Sequence, residues 1–100
     1  MLLVAWSYNL IGGWKLVARC QYHAKYREIG RRVAFYRTMR GLSQEELAAN
    51  IGISKSYLSK IEAANSEVEF SLYVLFSIAE GLRLDVSVFF LPINEERFVP

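Results

Sequence analysis

One hundred residues, 53% of them apolar, favour a single domain with one core. The single cysteine, Cys20, excludes an intrachain disulfide framework and points to a reducing, cytoplasmic setting. The net charge of +2 is small, but residues 25–40 carry a local +5 and residues 65–100 a local −4, which suggests a basic face for an anion and an acidic end turned away from it.

Residues 1–24 read as an N-terminal extension. "MLLVAWSYNLIGGW" is apolar but interrupted by Ser7, Asn9 and the Gly12–Gly13 pair, and it falls short of the roughly 20 residues that span a bilayer. It lacks the positive leader and the small-residue cleavage site of a signal peptide, so no membrane partner is expected. Two readings lead, a poorly ordered stretch or a short helix packed on the domain or on a protein partner, with membrane contact a lesser third.

The domain proper spans residues 25–91. Tyr26, Ile29, Val33 and Tyr36 recur at spacings of three and four, the signature of one apolar helical stripe, and Gly41 ends that helix. Ser43 and Glu46 form a capping box for a second helix, which buries Leu47, Ala48 and Ile51. Gly52 then turns the chain in the left-handed conformation, and Ser54 caps a third helix that buries Leu58 and Ile61. Ala48 is small where two helices crossing over a short turn need close approach. In a frame of twenty residues from Gln44, the constrained places Leu47, Ala48, Ile51, Gly52, Ile53, Leu58 and Ile61 all hold suitable residues. The pattern is a strong signal for a helix-turn-helix.

Ser71 caps a fourth helix with a broad apolar face of Leu72, Leu75, Ile78, Ala79 and Leu82, ending at Gly81. Asp85 caps a fifth, in which Val86, Phe89 and Phe90 close the core before Pro92. No sustained period of two occurs, so the expected fold is all-α, a compact five-helix bundle, with residues 92–100 as a loose tail.

Together, "GLSQEELA", "IGIS", "SYLSKIE" and "IAEGL" resemble the Cro/lambda-repressor type of helix-turn-helix domain, the XRE family, from about Tyr26 to Leu91. That resemblance implies a DNA-binding transcriptional regulator, often a homodimer on a palindromic double-stranded operator. The chain departs from the family's pattern in a longer connection, "AANSEVEF", where Ala64 replaces a usual glycine and Asn65 takes the left-handed role, and in Phe70 for a frequent proline.

Lys55, Ser56, Ser59 and Lys60 share one face of the third helix, at the i and i+4 spacing, with no apolar duty. A helix of this diameter fits the major groove of B-DNA, where lysine donates to guanine acceptors and serine to almost any base edge. Tyr57 lies beside this face, within reach of a thymine methyl or a phosphate. Gln44, at the start of the second helix, resembles the family's backbone-anchoring glutamine. By the same resemblance, Arg37 and Glu62 match a partly buried ion pair that orients the third helix.

Catalysis finds little support. Cys20 and His23 are single residues of their kinds, and there is neither a metal-ligand spacing nor a glycine-rich phosphate loop. No cofactor or metal is expected, and the chain reads as a non-enzyme. Three functions remain open: a repressor-type DNA-binding regulator; an antitoxin or restriction-system controller that also grips a protein partner; and a protein-interaction module that has left DNA.

Overall fold

A computed structural model describes the backbone of residues 11–93 and the side chains of residues 22–93. Of the expected extension over residues 1–24, residues 1–10 lie outside the described residues, as do residues 94–100 of the expected tail over 92–100 and the side chain of Cys20. The described chain is all-helical: α1 (Ile11–Met39), α2 (Gln44–Ile51), α3 (Lys55–Glu62), α4 (Leu72–Leu82) and a 3-10 helix (Val86–Phe90). The expected fifth α-helix is thus a 3-10 helix, leaving four α-helices among the described residues.

Each start and stop has a local cause. From Trp14 to Arg40 the chain has no proline and a single glycine, Gly30, so nothing ends α1 where the apolar stripe begins, and the helix runs unbroken from Ile11. Gly41, at φ 76°, takes the left-handed conformation after α1. The capping box of α2 is complete: Ser43 Oγ accepts from the Glu46 amide at 3.0 Å, and Glu46 Oε1 accepts from the Ser43 amide at 2.8 Å. Gly52, at φ 80°, turns the chain into α3. There Ser54 Oγ accepts from the Tyr57 amide at 2.9 Å. Ser71 caps α4 in the same way through the Val74 amide.

Four local expectations need correction. Arg83, at φ 57°, supplies the left-handed cap of α4 in place of Gly81, which lies inside the helix. A Cβ on Gly81 would meet Ile51 Cγ2 at 2.6 Å and Leu47 Cδ1 at 2.9 Å, so this glycine serves the close approach of α2 and α4. Asn65 is not left-handed, because α3 leaves through Ala63 in an extended conformation. Asp85 precedes the 3-10 helix but accepts from the Ser87 hydroxyl at 3.1 Å instead of from a backbone amide. Finally, Leu72 and Phe90 are 61% and 51% exposed. Leu72 opens its helix, and the three-residue turn of the 3-10 helix buries Val88 and Phe89 instead of Phe90.

The core draws on every element: Val33 and Tyr36 from α1, Leu47 and Ala48 from α2, Leu58 and Ile61 from α3, Leu75, Ile78, Ala79 and Leu82 from α4, and Phe89 behind them. Burying one large apolar side chain contributes about 1.5–3 kcal/mol, against about 1 kcal/mol for a cap. Helices of eight residues such as α2 and α3 are too short to persist alone. The shared core holds them; the caps set where they begin.

Candidate nucleic-acid interface

The third helix presents two faces with different chemistry. Leu58, Ile61 and Glu62 are buried, whereas Lys55, Ser56, Ser59 and Lys60 are exposed and Tyr57 is half-buried against the core. The four polar residues named from the sequence therefore stand together on the solvent side of α3. None of the four makes a side-chain hydrogen bond or ion pair among the described contacts, so their donors face outward.

A polar anchor seats the other end of this helix. Arg37 Nε donates to Glu62 Oε2 at 2.8 Å and Arg37 Nη2 to Glu62 Oε1 at 2.9 Å, a bidentate fork between α1 and the last residue of α3. Arg37 Nη1 also donates to the Leu42 carbonyl, at 2.6 Å. The side chains are 15% and 4% exposed, so the pair sits close to the core. Gln44 joins it: its Nε2 donates to Glu62 Oε1 at 2.8 Å. Arginine, glutamine and glutamate thus tie α1, α2 and α3 together at one point.

Gly30 makes the seating possible from the side of α1. A Cβ there would overlap the Ile61 carbonyl oxygen, so α1 crosses directly over the backbone of α3. Sequence reasoning missed this glycine because a crossing leaves no periodic trace.

The basic stretch of α1 has a different use from the one its charge suggested. Four of its six cations serve the fold. Arg27 Nη1 donates to the Ser66 carbonyl at 3.2 Å, and Arg32 Nη1 to the Phe89 carbonyl at 3.0 Å. Arg37 holds Glu62, and Arg40 Nε donates to the Leu82 carbonyl at 2.8 Å. Arginine suits this work because its planar fork reaches carbonyls left over at helix ends. Lys25 and Arg31 remain exposed on α1. The expected broad basic face is therefore narrower, and the free cations of the helix-turn-helix itself are Lys55 and Lys60.

Among the described residues no helix is long and apolar enough to cross a membrane, and no group of His, Cys, Asp and Glu could hold a metal ion. A family model described as helix-turn-helix matches residues 33–89, more than half of the chain. No curated protein matches the chain.

Proposed function

The chain belongs to the Cro/C1-type helix-turn-helix (XRE) family, whose members are DNA-binding transcription regulators and generally not enzymes, and from that premise we propose that it is a small, repressor-type switch that reads a double-stranded operator with α3. The observation that carries this reading is the division of α3: its buried side is fixed at Glu62, while Lys55, Ser56, Ser59 and Lys60 stand exposed on one face. A helix entering the major groove contacts base edges through its N-terminal half. Lys55 and Ser56 occupy that half and serve as base readers; Ser59 and Lys60, one turn further on, meet the groove wall and phosphate. Tyr57 lines the same edge. Gln44 spends one amide hydrogen on Glu62 and keeps the other for a phosphate beside the start of α2.

Two such protomers on a palindromic site place their α3 helices about one helical turn, ~34 Å, apart. Selection of bound duplexes from a random pool by the purified chain tests the proposal. It expects one enriched motif, its symmetry reporting a homodimer on DNA. A pool that stays random after selection overturns it.

A second reading, in which the chain also grips a protein partner as an antitoxin or restriction-system controller does, is favoured by one observation. Tyr73 and Phe76 of α4 are 79% and 51% exposed and stand three residues apart, an apolar pair on one side of the helix of the kind that marks a protein contact. Co-purification of a stoichiometric protein partner, lost on Tyr73→Ser and Phe76→Ser, would support it.

A further inference from the structure

The connection between α3 and α4, residues 63–71, has little structure of its own. The Ser66 amide donates to the Ala63 carbonyl at 3.3 Å, and the Val68 amide donates to Ser66 Oγ at 3.0 Å. Val68 and Phe70 pack against the shared core, and α1 adds three contacts. His23 Nε2 lies 3.3 Å from Glu69 Oε2; the Tyr26 ring meets Phe70 edge-to-face with centroids 4.8 Å apart; Arg27 donates to the Ser66 carbonyl. His23, Tyr26 and Arg27 are three or four residues apart, or adjacent, and so share one side of the helix. All three precede residue 33, where the family match begins.

The place of this connection gives the contacts a purpose. It leaves directly from Ala63, the cap of α3, and it carries two exposed carboxylates, Glu67 and Glu69. A loose acidic connection at the end of a helix that must approach a polyanion would repel phosphate. The α1 contacts draw Glu69 toward His23 and pin the backbone at Ser66. Further along the same side, α1 already presses on Ile61 through Gly30.

Resting on the DNA-binding reading above, we propose that His23, Tyr26 and Arg27 are positioning residues for the recognition helix. Together they strap the connection 63–71 to α1, fix the end of α3, and hold the acidic loop back from the duplex. The DNA-binding unit therefore starts at least ten residues before the matched segment.

The test uses full-length Tyr26→Ala, Arg27→Ala, Phe70→Ala and the Tyr26→Ala/Phe70→Ala double variant, with Tyr26→Phe and Arg27→Lys as conservative counterparts. Fluorescence anisotropy with the selected duplex measures affinity, circular dichroism confirms folding at the assay temperature, and hydrogen exchange reports the Ser66 and Val68 amides. Tyr26→Ala and Arg27→Ala should each weaken binding by about threefold to thirtyfold, the range that coupling through packed contacts gives. Exchange at Ser66 and Val68 should quicken, Tyr26→Phe should bind like the wild type, and the double variant should lose less than the product of its singles. Folded variants that bind as the wild type does overturn the strap alone. If Tyr26→Ala fails to fold, Arg27→Ala against Arg27→Lys decides the matter by the same criterion. A wild-type chain that prefers no duplex overturns the DNA reading and the strap with it.

Discussion

Gln44 and Glu62 stand eighteen residues apart and share a 2.8 Å hydrogen bond, from the amide Nε2 to the carboxylate oxygen that also takes Arg37 Nη2. The amino end of α2 is thereby fastened to the carboxyl end of α3. The residue proposed above for DNA backbone contact thus also belongs to the anchor that fastens α3. Gln44→Ala should lower stability by about 1–2 kcal/mol, the scale of a hydrogen bond to a charged group with part of the site in solvent. Denaturant unfolding measures this, and an unchanged midpoint would detach Gln44 from the anchor.

Glu62→Ala should cost more, about 3 kcal/mol, the lower end of the range for breaking a buried pair, because the Arg37 side chain keeps 15% exposure and its bond to the Leu42 carbonyl. A double-mutant cycle with Arg37→Ala should show strong coupling. Additive losses would mean that the two side chains act separately.

Two of the glycines resist alanine for different physical reasons. At Gly52 an added Cβ meets nothing within 4 Å, so the cost is backbone strain at φ 80°: about 1–2 kcal/mol for alanine, and more for Gly52→Val, whose β-branch fits that region poorly. At Gly30 the backbone is helical and alanine would normally help, yet its Cβ would strike the Ile61 carbonyl oxygen. That atom belongs to the main chain and cannot swing away. Gly30→Ala should therefore cost about 2–3 kcal/mol as overpacking and should also weaken DNA binding by displacing α3. Thermal melts with parallel duplex titrations separate the two; a Gly30→Ala chain that binds normally would show that the crossing does not aim the helix.

Lys55→Ala and Lys60→Ala remove exposed side chains without internal partners and should change stability by less than about 0.5 kcal/mol. Duplex affinity should nevertheless fall. A lysine that reads a base changes the preferred motif; one that meets phosphate weakens all duplexes alike and reduces the salt slope by about 1. If both variants bind as the wild type does, the reading face lies elsewhere.

Salt dependence follows from the count of free cations. With Arg27, Arg32, Arg37 and Arg40 engaged inside the protein, Lys60 and the start of α2 supply about two phosphate contacts per protomer, or three if Lys55 meets phosphate instead of a base, at a slope near −0.9 each. A dimer should show a slope of about −4 to −5 in a plot of log affinity against log salt. A slope near −10 would mean that the arginines of α1 leave their internal partners for DNA.

Much of the fold was legible along the chain. The capping serines and the left-handed glycines at 41 and 52 are local signals, each set by a few neighbouring residues, and the structure places them as read; the apolar stripes hold except at Leu72 and Phe90, which lie in solvent. The exposed face of α3 was legible for the same reason, since a 3.6-residue period separates Lys55, Ser56, Ser59 and Lys60 from Leu58 and Ile61. What the sequence could not decide was how α1 is spent. A run of arginines looks alike whether its guanidinium groups face phosphate or the carbonyls of Ser66, Phe89 and Leu82, because those acceptors lie 39 to 57 residues away along the chain. The roles of Gly30 and Gly81 were hidden in the same way: both are ordinary helical positions until another element crosses within van der Waals distance. Local chemistry determined the elements and the exposed polar face of α3; only long-range packing decided which cations of α1 stay in solvent and which hold other elements in place.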